Sequence, residues 1–359
     1  MCRNELHDLL VALPKCEHHV HIEGALTPRL LFELAAKNKI DLSSAGDQAY
    51  ASEEKLQARY GSFASLSEFI RYFSFGSSVL VTADDFEQLG YTYFAKAHDQ
   101  NVKHAEVFFD PQAHTRRGIT YDTIVRGLSR ARQRAEQDFG MSIEYIPCIL
   151  RHHGLAGAAH MFQEVMDAGH FADGTVAGLG MAGDELVHPP EHFKTIYDDA
   201  RTARVRCTAH VGQAGPASFV SSALESLKTS RVDHAWVAKT DTRLMHQLAE
   251  TNTLVTLCPI SNITLGFISS IEEAPVRDFL DHGVCFSINS DDPAYFGKYI
   301  QENYCAVQAA FKLSTSDWKT ISTNAVEGSW CSDERKKVLR EEVNAVLSQW
   351  EATHDAQQD

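Results

Sequence analysis

Two histidines with one residue between them, His19 and His21, close an apolar run near the start of the chain. Side chains two residues apart on a β-strand point to the same face. Two imidazoles on one strand face can bind one divalent metal ion, whereas a helix needs i, i+4 spacing for this purpose. The chain contains 18 histidines, so a metal site requires further ligands at equivalent positions.

The elements that must carry such ligands alternate between short apolar runs and longer amphipathic stretches. Helix start signals occur between the runs, at Thr27-Pro28, at the capping box Thr82–Asp85 and at Pro189-Pro190. The eight runs that predict strands are Cys16–Ile22, Ala105–Phe109, Ser142–Leu150, Val176–Gly180, Arg206–His210, Val232–Val237, Thr253–Cys258 and Val284–Ile288. Eight strands that alternate with helices favour an α/β fold of the parallel (β/α)8 type, a TIM barrel.

The chain shows no linker-like composition and no internal repeat, which predicts one barrel domain over residues 1–359. The segment Asp41–Leu66 is longer than an ordinary connection between a strand and a helix, and it predicts a lid or pocket wall. The part after Asn324 predicts C-terminal helices, followed by a polar end at Thr353–Asp359.

Composition limits the class of partner. The formal net charge of −15 disfavours nucleic acids and anionic membrane surfaces, and no apolar run approaches the ~20 residues of a membrane span. The N-terminus lacks the apolar region of a signal peptide. The eight cysteines show no C-x-x-C spacing and predict reduced core residues. These features favour a cytoplasmic enzyme that acts on a small neutral or cationic molecule, with the nucleus open as a second compartment.

Polar side chains stand at the C-terminal ends of the predicted strands, where barrel enzymes place their chemistry. His19 and His21 end the first strand, His210 ends the fifth, and Asp291 follows the eighth. Three imidazoles and one carboxylate form a donor set that suits Zn²⁺ and leaves a position for water. The sequence therefore predicts a zinc site above the barrel.

Five segments together resemble the adenosine/adenine deaminase family of metal-dependent hydrolases: 13–24, 182–185, 209–212, 233–234 and 290–293. Segments 106–118 and 291–297 are similar to those of the adenine deaminases of fungi and bacteria. The resemblance covers nearly the whole chain. It implies that His19, His21, His210 and Asp291 bind zinc, which lowers the pKa of a bound water toward ~7. The fourth predicted strand has no lysine that could bridge two metals, which favours a single ion.

The resemblance also implies how a purine would be bound. His234 would accept a proton from the water or orient the hydroxide toward C6. Asp292 would hydrogen-bond ring N7, and the backbone N–H of Gly183 would meet N3. Glu23 stands where adenosine deaminases usually have aspartate against the ribose. The longer side chain would crowd the sugar space and favour free adenine, although segment 182–185 departs from the usual adenine deaminase pattern.

Gln213 is the main departure from the family, which has glutamate at this position as the proton donor to N1. Glutamine can donate an amide N–H to N1 but cannot transfer a proton, and such acid catalysis is worth roughly 10²–10⁴-fold. Three interpretations are open. Gln213 is an engineered substitution, or the enzyme is divergent and its substrate needs a hydrogen bond here, or the protein is a zinc-containing barrel that binds without catalysis.

The leading prediction is zinc-dependent deamination of adenine to hypoxanthine and ammonia, impaired or altered by Gln213. The first alternative is a divergent hydrolase of adenosine, an N6-substituted adenine or a related heterocycle. The second alternative is a non-catalytic protein that binds a purine or a partner protein. In the catalytic interpretations Gln213 and His234 act on the reacting groups.

Overall fold

The computed structural model describes residues 5–355. Its strands are β1 (Lys15–His21), β2 (Val102–Phe109), β3 (Ser142–Leu150), β4 (Gly178–Ala182), β5 (Arg206–Cys207), β6 (His210–Val211), β7 (Arg231–His234), β8 (Leu254–Leu257) and β9 (Phe286–Ile288). Its α-helices are α1 (His7–Ala12), α2 (Pro28–Asn38), α3 (Glu53–Arg59), α4 (Leu66–Ser77), α5 (Ala83–Asp99), α6 (Pro111–Thr115), α7 (Tyr121–Phe139), α8 (Gly154–Asp167), α9 (Lys194–Thr202), α10 (Ala217–Ser222), α11 (Thr242–Glu250), α12 (Pro259–Thr264), α13 (Val276–His282), α14 (Pro293–Phe296), α15 (Ile300–Phe311), α16 (Thr315–Gly328) and α17 (Asp333–Asp355).

The strands form a parallel barrel, which confirms the predicted fold class. Parallel pairs connect β1 through β5 in chain order, and a second series connects β6 through β9. β5 and β6 are the two halves of the fifth barrel strand, separated by Thr208 and Ala209. Backbone hydrogen bonds continue across this break, from Thr208 N to Leu179 O (2.9 Å) and from Asp233 N to Ala209 O (2.9 Å).

The barrel closes between its first and last strands, next to the predicted metal ligands. Val20 and Asp291 form a parallel bridge. Asp291 N donates to His19 O (3.0 Å), and His21 N donates to Asp291 O (2.9 Å). The backbone that closes the barrel therefore also fixes three candidate ligands relative to one another.

β3 has its predicted bounds, whereas the other strands differ from the predictions by one to three residues at one or both ends. β4 begins at Gly178, two residues after the predicted start, and the predicted fifth strand is broken in its middle. β7 ends at His234 rather than at Val237 because the backbone turns left-handed, with φ of 64° at His234 and 42° at Ala235. Apolar runs predict burial well, but they do not report where a local turn interrupts the extended chain.

The helix start signals are confirmed for α2 and α5. The Thr27 side chain accepts from Leu30 N (3.3 Å), and Thr82 and Asp85 form the capping box of α5. At Pro190 the chain first forms a 3₁₀ turn, Pro190–Phe193, and only then α9. Helices α16 and α17 account for the predicted C-terminal helices, and the last residues of the predicted polar end, 356–359, lie outside the described residues.

The cysteines follow the prediction only in part. Cys16, Cys148, Cys207, Cys258 and Cys331 are buried free thiols. Cys285 is also a free thiol, but it is only half-buried. Within residues 5–355 no helix combines the length and the apolarity that a membrane crossing requires.

Candidate active site

Four predicted ligands meet where the first and last strands end. The candidate ligand atoms of His19, His21, His210 and Asp291 all lie within 4.8 Å of one another, and the four residues are buried. His21 Nε2 lies 3.0 Å from His210 Nε2, and Asp291 Oδ1 lies 3.2 Å from His19 Nε2 and 3.6 Å from His21 Nε2. His19 Nε2 is buried without a hydrogen-bond partner among residues 5–355. The three nitrogens and one oxygen therefore fit a tetrahedral metal such as zinc.

Asp233 organises the ligands from below. Its carboxylate accepts from Thr208 Oγ1 (2.7 Å) and Thr256 Oγ1 (2.9 Å), and its Oδ2 lies 3.3 Å from His210 Nδ1. Thr256 Oγ1 also lies 2.9 Å from His19 Nδ1. Groups of this kind fix the ring orientation of ligating histidines, so Asp233 connects two ligands from different strands.

His234 lies beside the same centre, with its Nε2 3.9 Å from Asp291 Oδ2. Its side chain is 1% exposed and lines the cavity above the barrel. Cys258 forms a second candidate group with His19, His234 and Asp291. Because both groups share His19 and Asp291, they describe one centre and not two.

Left-handed backbone conformations occur at the site in residues other than glycine. The φ angles are 64° at His234, 42° at Ala235 and 65° at Asp291. Such conformations cost of order 1–3 kcal/mol each and persist where the surrounding structure enforces them. In this protein the enforced turns aim His234 and Asp291 at the cavity.

The cavity that opens above the centre brings together seven of the nine predicted site residues: His21, Gly183, His210, Gln213, His234, Asp291 and Asp292. His19 lies directly beneath, in contact with Asp291. Helix α4 supplies an apolar wall through Leu66, Phe69, Ile70 and Phe73. The predicted lid over Asp41–Leu66 is therefore wrong except at its last residue, because the preceding turns and α3 pack outside the cavity and the following helix covers it.

Asp292 packs against the backbone of Gly24. A Cβ built on Gly24 would lie 2.1 Å from Asp292 Oδ1 and 2.7 Å from Asp292 Cα. Burial, followed by the charge of Asp291, raises the pKa of Asp292 well above its usual range. The absence of a side chain at Gly24 thus allows Asp292 to sit at the cavity floor.

We expect Gly24→Ala to displace Asp292 and to weaken purine binding. Overpacking of this kind costs about 1–3 kcal/mol, because the added Cβ would meet Asp292 Cα at 2.7 Å as well as the side chain, and the backbone atom cannot rotate away. Urea unfolding measures the stability loss, and titration with hypoxanthine measures the affinity. Gly46→Ala, outside the cavity lining, is the control for the affinity measurement. It is not a control for stability, because the φ of 65° at Gly46 strains an alanine there. Unchanged affinity in Gly24→Ala would contradict the proposed contact.

Gln213 is held at the cavity by its backbone. Gln213 N donates to Glu185 Oε1 (2.8 Å), and Gln213 O accepts from Trp236 Nε1 (2.9 Å). Its side-chain Nε2 donates to Asn262 Oδ1 (3.3 Å). The amide therefore presents a hydrogen-bonding group beside His234 and the metal ligands.

Glu185 is a functional residue to which the sequence predictions gave no role. Its buried carboxylate accepts from four consecutive backbone N–H groups, those of Gly212 (2.8 Å), Gln213 (2.8 Å), Ala214 (3.1 Å) and Gly215 (3.2 Å). The residue lies within segment 182–185, which resembles the family, but the sequence of this segment does not show which backbone N–H groups the carboxylate accepts from.

We expect Glu185→Gln to destabilise the protein by about 2–3 kcal/mol. The amide of glutamine offers one acceptor oxygen instead of two, and unsatisfied buried N–H groups cost about 1–3 kcal/mol. Urea unfolding checks the loss, with Glu191→Gln on the exposed surface as the matched control. Equal stability of the two variants would show that the carboxylate does not hold the 212–215 loop.

Glu23 does not line the cavity, contrary to the expected contact with the sugar space. It is fully buried, and its Oε1 accepts from Asp110 N (3.1 Å) and lies 2.8 Å from His114 Nε2. His114 Nδ1 in turn accepts from Arg117 (2.8 Å), and Arg117 also donates to the Ser78 carbonyl after α4 (3.2 Å). Glu23 therefore connects the first strand to the wall helix.

Comparisons with known proteins identify the family to which this chain belongs. The sequence profile described as adenosine deaminase matches residues 14–346. The chain belongs to the adenosine deaminase family. Among its relatives in that family, the adenine deaminase of Gibberella zeae is 49% identical over 350 residues, which cover 98% of this chain and 99% of the relative. The adenine deaminase of Schizosaccharomyces pombe is 46% identical, and the match covers 97% of this chain and 94% of the relative.

Solved structures of related proteins have the same fold as this adenosine deaminase family member, and one of them contains a bound metal ion. The crystal structure of adenine deaminase from Arthrobacter aurescens matches with a TM-score of 0.88 and 34% identity, covering 94% of this chain and 100% of that chain. An amidohydrolase from Burkholderia ambifaria with bound Zn matches with a TM-score of 0.87 and 26% identity, covering 99% of this chain and 98% of the other. These matches support a metal-dependent hydrolase.

Proposed function

We propose that this protein is a zinc-dependent hydrolase that converts adenine and water to hypoxanthine and ammonia. The observation that carries the proposal is the buried cluster of His19, His21, His210 and Asp291 at the floor of a cavity. The fungal relatives named adenine deaminase share 46–49% identity over nearly the whole chain. In this account the substrate is a free purine base in the cytoplasm.

One zinc ion is proposed for the cluster, because three imidazoles and a carboxylate can bind zinc and leave a fifth position for water. When bound, zinc supplies a nucleophile at neutral pH by lowering the pKa of water from 15.7 to about 7. We assign the uptake of the proton to His234; the assignment is supported by its position beside Asp291 and in the cavity lining. Asp233 keeps His19 and His210 in position.

The purine is proposed to lie above the centre with its six-membered ring toward the metal. The backbone N–H of Gly183 donates to N3, Asp292 hydrogen-bonds N7, and the Gln213 amide donates to N1. The oxygen of water bonds to C6, the bond between C6 and the exocyclic nitrogen breaks, and that nitrogen leaves as ammonia with one proton from the water, while the second proton ends on N1 of hypoxanthine. Gly183 has a φ of 92°, which glycine adopts without strain, and it allows the ring to approach the backbone.

Gln213 determines how fast this reaction proceeds. Its amide can orient N1 but cannot deliver a proton to it, so we expect turnover slower by roughly 10²–10⁴-fold than with a positioned acid. The same observation favours a second candidate function. In that account the site accepts an N6-substituted adenine or a related heterocycle for which a hydrogen bond at this position suffices.

An ammonia-release assay with the zinc-loaded protein separates these functions. Adenine, adenosine and N6-methyladenine are compared at equal concentration, with methylamine also measured for the last. The proposal predicts the highest kcat/KM for adenine. A higher kcat/KM for N6-methyladenine would transfer the assignment to the second candidate function. Release from none of the three compounds, with one zinc per chain bound, would overturn both catalytic proposals in favour of a binding protein.

A further inference from the structure

Asp110 is a buried carboxyl group in the cavity to which the reaction described above gives no role. It follows β2, is 3% exposed and lines the cavity. Its Oδ1 is buried without a hydrogen-bond partner among residues 5–355. Asp110 precedes α6 but gives that helix no side-chain cap. Since buried polar atoms are almost always paired in folded proteins, an unpaired carboxyl oxygen facing a cavity indicates a ligand.

The order of the strands around the barrel determines which purine atom this oxygen can meet. In the proposed function N1 faces Gln213 after β6, N3 faces Gly183 after β4, and N7 faces Asp292 after β9. The ends of β1, β2 and β3 occupy the arc between Asp292 and Gly183. On the purine perimeter, C8 and N9 lie between N7 and N3. The N9 edge therefore points toward this arc.

Among the residues at the ends of β1, β2 and β3, Asp110 is the buried acid that lines the cavity on the side of N9. After β1, Glu23 is outside the cavity lining, and its Oε1 is engaged with the Asp110 backbone N–H and with His114. After β3, His152 lines the cavity but is exposed. Glu23 thus fixes the Asp110 backbone, while the Asp110 side chain is left to face the ligand.

We propose that Asp110 accepts the N9–H of the purine and thereby selects the free base over the nucleoside. The inference rests on the proposed function, because the ring orientation comes from it. A carboxyl group offers an acceptor oxygen to N9–H whether or not it is protonated. A nucleoside has no hydrogen on N9 and carries a ribose there, so it would leave the acceptor unpaired and would collide with the side chain. Sites built around a hydrogen bond reject analogues that lack it.

The test measures binding and so does not depend on turnover. The zinc-loaded protein is titrated calorimetrically with hypoxanthine and with 9-methylhypoxanthine, which lacks the N9–H. We expect the wild type to prefer hypoxanthine by at least about 10-fold, the value of one buried hydrogen bond. In Asp110→Ala the ratio should fall to within about 3-fold, chiefly through weaker binding of hypoxanthine. Asp110→Asn retains an acceptor oxygen and should keep most of the preference. Ser74→Ala, in the cavity lining on α4, should leave the ratio unchanged.

The ratio of the two affinities distinguishes the possible failures. If hypoxanthine still binds and Asp110→Ala leaves the ratio at its wild-type value, the assignment of Asp110 is overturned and the proposed function stands. If neither purine binds to the zinc-loaded wild type, the proposed function and the assignment both fail. Asp110→Val, which is closer to aspartate in volume and has no acceptor oxygen, provides the same comparison should Asp110→Ala not fold.

Discussion

Replacing Gln213 with glutamate raises kcat/KM for adenine by roughly 10²–10⁴-fold, the worth of a positioned general acid. The two side chains have nearly the same shape, and the Gln213 backbone is fixed independently by Glu185 and Trp236. The carboxyl group therefore occupies the place of the amide and adds a transferable proton. The Glu185 carboxylate is occupied by backbone N–H groups, so it cannot supply this proton in the wild type.

Initial rates of ammonia release from adenine measure this gain in the zinc-loaded protein. Gln213→Ala is the control, because it removes the hydrogen bond that the Gln213 amide donates and adds no proton donor. It should be slower than the wild type on adenine. If Gln213→Glu has wild-type or lower activity on adenine, Gln213 is matched to another substrate. Activity on N6-methyladenine that Gln213→Glu abolishes would identify that substrate class.

Loss of His210 removes the metal and with it the reaction. His210 shares the centre with His21 at 3.0 Å between the Nε2 atoms and is held from behind by Asp233. His210→Ala leaves two imidazoles and a carboxylate, which bind zinc more weakly than four ligands and leave a second coordination position open. We expect kcat/KM for adenine to fall by at least about 10⁴-fold, because no other group in the cavity generates hydroxide at neutral pH.

Metal analysis accompanies the activity measurement. The wild type should hold one zinc per chain after dialysis, and His210→Ala should hold much less. His246→Ala, which removes an exposed histidine on α11, is the matched control and should retain both zinc and activity. Treatment of the wild type with a chelator should abolish activity, and added zinc should restore it. A His210→Ala variant with full zinc content and full activity would show that His210 is not a ligand of the catalytic metal.

The metal cluster and the barrel were predictable because both depend on short-range patterns. Strand and helix periods alternate along the chain, and ligands at the ends of parallel strands necessarily converge. His19 and His21 thus became part of a cluster once His210 and Asp291 were found at equivalent positions. The break between β5 and β6 escaped prediction because a local turn leaves the apolar pattern intact.

Glu23 and Asp110 show where sequence reasoning fails. Both follow a barrel strand and both are buried, so each could have faced the substrate. Which of them lines the cavity depends on how α6 brings His114 against Glu23, and on how Arg117 ties α6 to the end of α4. Those contacts join residues from distant parts of the chain. A sequence motif identifies such residues but does not show the direction in which each side chain points.

The most direct test of the account is the conversion of adenine by the zinc-loaded wild type, followed by simultaneous measurement of hypoxanthine and ammonia. We expect slow formation of the two products in equal amounts, abolished by chelation and accelerated in Gln213→Glu. Failure of both proteins to convert adenine, with one zinc bound per chain, would contradict the assignment of this protein as an adenine deaminase.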